Sequence, residues 1–496
     1  MGTMSFLLPN GLSLPANNEF ARACLATGYD HTPVPTKVRV QGDRLIAQRE
    51  LDESGYLRTP WLVDGIGQVM SATATLMERD LPYHFLVELA RGKLNQVRSQ
   101  TAEWRMIGLQ TSPALDQSLS NATKMFAQAA LAMGEGNPDQ QAQLALRQSY
   151  QTASQLIHLY IDQLVQVRKQ RQAKIQTPFA CRLRTVPAPV HEPMLRQTFN
   201  AVCLPMTWRA TEPKESTYNW TPVDQLVEWA HAAEMPIIAG PLVDFSASGL
   251  PDWLLTWNGD FGSLASFACD YIETAISRYR GRIRRWQLVA ASNIADQLGL
   301  NDDDMLRLTA RMAEAALQID SELELVIGIA QPWGDYMTSE DHTYNPFVFA
   351  DTLLRAGLPV AAFEMEWLMC AAPRGSYARD LLESSRLLDM FAVLGAPLQV
   401  SLAYPSKSSI DPLADPHQQL SGGGHWQAGF TPEAQADWAS EFASLAVAKP
   451  YVSGVIWHQF SDAEPHLVPH GGLVDANGNI KPAMNRLRQV RDKYLG

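Results

Sequence analysis

Short apolar runs alternate with longer amphipathic runs eight times between residues 179 and 494. The short runs have the length of strands buried on both faces, and the long runs carry apolar residues at the three-and-four spacing of helices. Eight strands, each returned by a helix within roughly 310 residues, predict a parallel (β/α)₈ TIM barrel. The predicted strands are Phe179–Thr185, Ala201–Trp208, Pro236–Phe245, Arg285–Asn293, Leu323–Gln331, Val360–Leu368, Pro397–Tyr404 and Val452–Asp462. The clearest predicted helices are Pro222–Ala233, Leu264–Arg280, Asp303–Ile319 and Tyr377–Leu394.

A different pattern precedes the barrel. Polar and apolar residues alternate in Lys37–Gln41, Arg44–Gln48 and Tyr56–Val63, and turn-forming residues separate these runs. This pattern predicts a small antiparallel β module over residues 1–80. Two interpretations of its aromatic residues are open. Tyr56 and Trp61 could stack on sugar rings, or the module is a structural cap that packs them, and we favour the cap.

Residues 81–176 contain three helical patterns, Tyr83–Leu109, Pro113–Met133 and Pro138–Lys174, the last with apolar residues at heptad spacing. This spacing predicts an antiparallel helical bundle within the chain. A homo-oligomer formed through the same apolar face is the alternative. The barrel then occupies residues 177–496.

Composition narrows the functional classes. The net charge of −12 argues against nucleic acid or an anionic membrane as a partner, because both select for clustered Lys and Arg. The five cysteines are scattered, and the first residues lack the pattern of a secretory signal, so we expect buried thiols and a cytoplasmic protein. The histidines lack zinc-site spacing and no nucleotide-binding glycine pattern is present. We therefore expect neither a metal nor a cofactor.

Several segments of the predicted barrel are similar to one known family. They are Trp208–Pro213, Tyr218–Trp220, Gly249–Leu254, Tyr279–Val289, Gly454–Trp457 and Gly472–Ala483. In this order they resemble glycoside hydrolase family 10, the xylanase-type (β/α)₈ enzymes. The resemblance implies a barrel that acts on or binds a β-linked glycan in a cleft at its mouth.

The catalytic positions of that family are different here. The family has its general acid/base Glu at the end of the fourth strand, where this chain has Ala290 and Ala291. Its nucleophilic Glu on the seventh strand corresponds to Leu402. A retaining glycosidase needs two carboxyl groups about 5 Å apart, and neither alanine nor leucine provides one. The resemblance therefore transfers no catalytic residue.

Other carboxylates occupy strand ends, where barrel chemistry is expected. Glu364 and Glu366 lie two residues apart and share one face of the sixth strand. With Asp244 and Asp462 they are our candidate catalytic residues, and Glu366→Gln is expected to abolish turnover or ligand binding with an equal or higher melting temperature. The alternative is that they are rim residues that pair with Arg184, Arg209 or one another.

Further polar and aromatic residues near strand ends are candidates for substrate binding. They are Trp286, Asn293, Gln331, Trp333, Asp335, Trp367, Trp457 and His458. Such residues suit a sugar cleft, because aromatic faces stack on pyranose rings and acidic groups accept bonds from hydroxyls. The sequence thus leaves two hypotheses. One is a carbohydrate-active enzyme whose carboxylates have moved, which these residues favour; the other is a non-catalytic carbohydrate-binding or scaffold pseudoenzyme.

Overall fold

The β module consists of two sheets. The structure is a computed structural model, and it describes residues 2–9, 23–29, 31–50, 53–135, 137–172, 174–246, 248–295, 297–338, 342–420 and 423–495. Its strands are β1 Gly2–Leu7, β2 Leu25–Thr27, β3 Pro33–Val34, β4 Thr36–Gln41, β5 Arg44–Arg49, β6 Tyr56–Val63, β7 Gly67–Ala72 and β8 Tyr83–His84. One sheet has the order β4-β5-β1-β8, and the other contains β7-β6-β2-β3. Apart from the parallel pair β1–β8, the strand pairs are antiparallel. The predicted antiparallel module is confirmed.

Trp61 belongs to the core of this module. Its side chain is 9% exposed, its Nε1 donates to Gln143 Oε1 at 3.0 Å, and its ring meets Phe85 edge-on at 5.3 Å. Tyr56 stacks on His31 with 4.4 Å between ring centroids. Both aromatic residues therefore have partners within the chain, as the cap interpretation requires.

The three predicted bundle helices are α1 Phe85–Met106, α2 Pro113–Ala132 and α3 Asp139–Arg171. The heptad positions Leu146, Tyr150, Ala153 and Ile157 of α3 are buried in the common core of the chain. Ser112 caps α2 by accepting from the backbone N–H of Leu115. The apolar face of α3 thus packs within the chain, as the bundle interpretation predicts.

Eight parallel strands close the barrel. They are β9 Phe179–Arg182, β10 Ala201–Leu204, the split third strand β11 Ile237–Ala239 with β12 Val243–Asp244, β13 Arg285–Ala290, β14 Glu324–Ile329, β15 Val360–Leu368, β16 Leu398–Ala403 and, after the short β17 His425–Trp426, β18 Val452–Trp457. Each strand pairs with the next, and β18 pairs with β9 to close the circle. Every strand predicted from the apolar runs is present, so the fold prediction is confirmed.

The third strand splits at Gly240, whose φ is +105°. A Cβ at this position would lie 2.1 Å from the carbonyl oxygen of Gln287, so the two backbones approach closely only because no side chain intervenes.

Helices surround the barrel. They are α4 Glu192–Thr198, α5 Trp208–Thr211, α6 Thr221–Ala232, α7 Phe261–Arg278, α8 Asp302–Ile319, α9 Pro346–Arg355, α10 Leu381–Ala392, α11 Pro432–Ala448 and α12 Pro482–Tyr494. Side-chain caps mark where two of these helices begin. Asn345 caps α9, and Asp380 caps α10 by accepting from the backbone N–H groups of Leu382 and Glu383. Within the described residues, no helix is both long and apolar enough to cross a membrane.

The barrel and the N-terminal parts are joined through α10 and β17. Arg58 of β6 pairs with Glu383, and Lys93 of α1 pairs with Asp380 at 2.6 Å. The loop after the seventh barrel strand supplies β17, which pairs antiparallel with β7. A barrel loop therefore completes a sheet of the β module.

The junction between β17 and β7 depends on Gly424. Its φ is +71°, and a Cβ there would lie 2.2 Å from the carbonyl oxygen of Gln68. Gly395 has a similar φ of +76°, but its Cβ would meet nothing within 4 Å.

We predict that Gly424→Ala destabilises the fold much more than Gly395→Ala does. Gly395→Ala introduces only left-handed backbone strain, about 1 kcal/mol. Gly424→Ala adds a steric clash that opens the β7–β17 pairing. Urea unfolding of both variants measures the difference. Equal losses of unfolding free energy would show that the junction contributes nothing.

Candidate functional site at the barrel mouth

Two glutamates of β15 lie inside the barrel near its mouth, the end where the strands finish. Glu364 is fully buried and Glu366 is 1% exposed. Their register partners in β16 are Gln399 and Ser401, so the two carboxylates occupy successive inward positions. A buried carboxylate is costly unless it is paired, so their partners determine what they can do.

Arg374 is the partner of Glu366. It belongs to the loop after β15, and its guanidinium returns over the barrel, where its Nε and Nη2 donate to the two oxygens of Glu366 at 2.9 and 2.7 Å. Its Nη1 donates to both oxygens of Asp244, at the end of β12, at 2.8 and 2.9 Å. Although burial opposes ionisation, Arg374 holds the pKa of Asp244 below its usual value. One buried guanidinium thus binds two carboxylates from opposite parts of the mouth.

Glu364 lies in a second polar layer. It accepts from Arg182 Nη2 at 3.2 Å and from Gln399 Nε2. The same Arg182 nitrogen donates to Gln287 Oε1 at 3.0 Å. Burial raises the pKa of Glu364, the charge of Arg182 opposes the rise, and Glu366 adds to it. Glu364 is therefore an interior carboxyl held by strand residues.

His458 adjoins the same layer. One ring nitrogen lies 3.5 Å from Arg182 Nη1 and the other 3.1 Å from Ser401 Oγ. Burial, reinforced by the charges of Arg182, Arg374 and Arg184, holds the pKa of His458 well below its usual value. The imidazole is therefore neutral at physiological pH.

These contacts limit the chemistry of the acidic cluster, by which we mean Asp244, Glu364 and Glu366. Both oxygens of Glu366 accept from Arg374, so Glu366 is neither a free nucleophile nor a proton donor. The side chain of Asp244 is 14% exposed, whereas those of Glu364 and Glu366 are fully buried. Asp244 is the member that can meet a ligand at the mouth.

Asp462 lies apart from this arrangement. It pairs with Lys481 at 2.5 Å and accepts from the backbone N–H of Gly472 and the side chain of Gln459. Its bonds within the described residues therefore join the eighth loop to the start of α12. They do not reach Arg374.

The candidate stacking platforms are core residues. Trp286, Trp367 and Trp457 are at most 1% exposed, and Trp333, 9% exposed, lies 5.7 Å from the ring of Trp367. Trp457 donates to the carbonyl of Gly471. None of the first three presents a free ring face to a sugar, because the surrounding helices cover them.

The remaining candidates connect loops. Asn293 exchanges two hydrogen bonds with the backbone of Ala330, at 2.9 and 3.0 Å. Gln331 donates to the carbonyl of Pro373 in the loop that carries Arg374. Asp335 is buried and pairs with Arg379 at 2.6 Å. Asn293 therefore joins the fourth loop to the fifth, and Gln331 and Asp335 join the fifth loop to the sixth.

Sequence reasoning missed both arginines of the site. It proposed Arg184 or Arg209 as partners, but Arg209 pairs with Asp252 at 2.7 Å and Arg184 is exposed. The sequence did contain a signal for Arg182. A cation at the end of an otherwise apolar strand is buried, and a buried cation requires a buried anion as its partner. Arg374 had none, since only the path of its loop brings it to the barrel. Within the described residues, no group of three or more His, Cys, Asp or Glu is arranged to hold a metal.

The structure reverses the expectation for Glu366→Gln. Removing this charge leaves Arg374 buried with Asp244 alone, so we predict a loss of about 3 kcal/mol of unfolding free energy. Asp252→Asn is the matched control, because its side chain is 77% exposed and its pair with Arg209 contributes little. Chemical denaturation at neutral pH measures both. A loss for Glu366→Gln no larger than the control's would rule out a stabilising role for this ion pair.

The buried His458 should make the stability of the protein depend on pH. Its pKa is depressed in the folded state, so below about pH 6.5 the unfolded state binds the extra proton and stability falls by up to about 1.4 kcal/mol per pH unit. His458→Gln keeps a side chain that can bond Ser401 and removes the proton site. We expect the variant to lose about 1 kcal/mol less than the native protein between about pH 7.5 and about pH 5.5. Urea titrations at both pH values measure this difference, and parallel losses would show that His458 does not titrate on unfolding.

Solved structures with similarity to this chain include xylanase 10B from Thermotoga maritima. It is 17% identical with a TM-score of 0.48, and the match covers 66% of this chain and 98% of that one. A glycoside hydrolase family 10 structure from Paenibacillus barcinonensis is 19% identical with a TM-score of 0.47, covering 66% of this chain and 97% of that one.

Two curated relatives are also similar in sequence. Endo-1,4-beta-xylanase C from Paenibacillus barcinonensis is 25% identical over 244 residues, which is 43% of this chain and 21% of the relative. Endo-1,4-beta-xylanase 1 from Gibberella zeae is 31% identical over 84 residues, 17% of this chain and 23% of the relative. The matches thus span less than a quarter of either relative.

Residues 167–305 match the family model of Glycosyl hydrolase family 10, and this range contains the first four strands of the barrel.

Proposed function

We propose that this chain binds a β-linked oligosaccharide of the xylan type at the mouth of its barrel and does not hydrolyse it. The ligand class is supported by the match to Glycosyl hydrolase family 10 and by relatives named as endo-1,4-beta-xylanases. The absence of hydrolysis is supported by one observation above all. A single buried guanidinium, that of Arg374, occupies the carboxylates of Glu366 and Asp244.

Hydrolysis of a glycosidic bond needs two carboxyl groups on either side of that bond, one to donate a proton and one to attack or to activate water. The positions that the family resemblance assigns to these groups are Ala290 or Ala291 and Leu402, and all three are buried. Glu364 lies beneath the mouth with no exposed surface. No pair of carboxyl groups in the acidic cluster is thus both unpaired and accessible.

Binding a sugar requires fewer functional groups than hydrolysing it does. Sugar hydroxyls both donate and accept, so a rim that offers cations and carboxylates together suits them. Asp244 is part of such a rim. The charges of Asp244 and of the half-buried Glu464 both act on Arg184, whose side chain is exposed. These three side chains are our proposed contacts with the ligand.

Hydrolysis through relocated carboxylates is the second candidate, and one observation favours it. Burial raises the pKa of Glu364, and a raised carboxyl pKa is what a general acid requires. This mechanism needs the loop that carries Arg374 to withdraw from the mouth, so that the substrate reaches Glu364.

Calorimetric titration with xylohexaose, followed by mass spectrometry of the incubated sugar, tests both candidates. We expect saturable binding with the hexamer recovered intact. Asp244→Asn should weaken binding about tenfold, because a charged acceptor of hydroxyl bonds is lost. Asp252→Asn, further along the loop that follows Asp244, should leave binding unchanged.

Two outcomes contradict the proposal. If the hexamer does not bind, neither candidate function holds for xylan. If shorter xylo-oligosaccharides form, and if they disappear in Glu364→Gln, the chain is an enzyme and hydrolysis replaces binding as its function.

A further inference from the structure

A cavity of about 450 Å³ lies between the β module, the fifth barrel loop and helices α9 and α10. This volume is within the range of small-molecule sites. One face of α10 forms a wall, since Glu383, Arg386, Leu387 and Met390 follow helical spacing. The fifth loop and the first turn of α9 line the cavity as well. Parts of the β module and of the barrel therefore enclose it together.

Most of the side chains that line the cavity are apolar. They are Pro33, Pro332, Trp333, Pro346, Phe347, Val348, Leu387 and Met390. Val348 and Met390 are each 38% exposed, so apolar surface on two helices remains in contact with water. An apolar ligand body would remove this surface from water. The rings of Trp333 and Phe347 and the thioether of Met390 favour an aromatic body, because aromatic rings attract both one another and sulfur.

One polar group on this wall has a fixed orientation. Asn345 caps α9, and its Oδ1 accepts from the backbone N–H of Val348 at 2.9 Å. Because the oxygen of the side-chain amide must face this N–H, the amide nitrogen Nδ2 is turned away from it. Among the residues that the structure describes, none accepts a hydrogen bond from Nδ2. Asn345 lines the cavity, so its amide N–H groups can donate to a ligand oxygen there.

The charged residues that line the cavity, Arg58, Glu383 and Arg386, interact with one another. Arg58 pairs with one oxygen of Glu383, and the other oxygen accepts from Gln96 at 2.5 Å. Although burial opposes ionisation, the charges of Arg58 and Arg386 hold the pKa of Glu383 well below its usual value. These charges are thus engaged within the chain. The apolar wall and the amide of Asn345 are the surfaces that a ligand can use.

From the apolar wall and this fixed amide we infer that the cavity binds an uncharged aromatic compound that carries a carbonyl oxygen. The oxygen accepts from Asn345 Nδ2, and the ring system lies between the first turn of α9 and Met390. A neutral carbonyl suits a neutral amide donor, whereas an ionised group placed against the apolar wall would lose its hydration. This site is independent of the function proposed for the barrel mouth.

Calorimetric titration of the full chain with 2-acetonaphthone tests this inference, and 2-naphthoate is the charged probe of similar shape. We expect saturable binding of the ketone and weaker binding of the carboxylate. Asn345→Ser keeps a side-chain oxygen that caps α9 but lacks the amide N–H groups, so affinity for the ketone should fall about fivefold. Asn301→Ser is the matched control, because Asn301 caps α8 in the same way, accepting from the N–H of Asp304 at 2.9 Å. The control should bind the ketone as the native chain does.

Two further variants, Met390→Trp and Val348→Phe, fill the cavity from α10 and from α9. Affinity for the ketone should fall at least about tenfold in each variant that keeps its melting temperature. The assignment is wrong if the ketone does not bind, if filling the cavity leaves binding undiminished, or if Asn345→Ser binds as tightly as the native chain. Tighter binding of 2-naphthoate than of the ketone would also overturn it. Binding of xylohexaose should be unaffected in all these variants, which separates this site from the barrel mouth.

Discussion

Charge neutralisation inside the barrel is the constraint on which the arrangement of the mouth depends. The interior contains Glu364 and Glu366, and ionised carboxylates in a low-dielectric interior are tolerated only with close cationic partners. Arg182 comes from the first strand and Arg374 from the sixth loop. Because Arg374 must reach Glu366, its loop folds over the mouth and also captures Asp244. The geometry of the rim therefore follows from the need to pair one buried glutamate.

The proposed function depends on what this ion pairing does to Glu366. The same guanidinium that stabilises Glu366 removes it from chemistry, because a carboxylate with both oxygens in bidentate bonds neither attacks nor protonates a substrate. The polar atoms left at the surface of the mouth suit hydrogen bonding to hydroxyls. The proposed function is therefore binding without hydrolysis, and fold alone does not decide between these two activities.

Helix α10 connects the three parts of the chain. Its first turn carries Asp380 and Glu383, which pair with Lys93 of the bundle and Arg58 of the β module. Further along the helix, Leu387 and Met390 line a cavity of about 450 Å³ together with Pro33 of the β module. The loop that begins the helix is also the loop that supplies Arg374.

The sequence by itself determined the barrel, the β module and the helical bundle, because these depend on the period of apolar residues along the chain, which is a local property. It also placed Glu364 and Glu366 on one face, since strand alternation has a period of two. Only the tertiary structure decided their role. The partners Arg182 and Arg374 lie 182 and 8 positions away from them along the chain, and they meet only when strands and loops close into a barrel. The tryptophans near strand ends were ambiguous for the same reason: local pattern cannot distinguish a ring that faces the mouth from one that the surrounding helices cover.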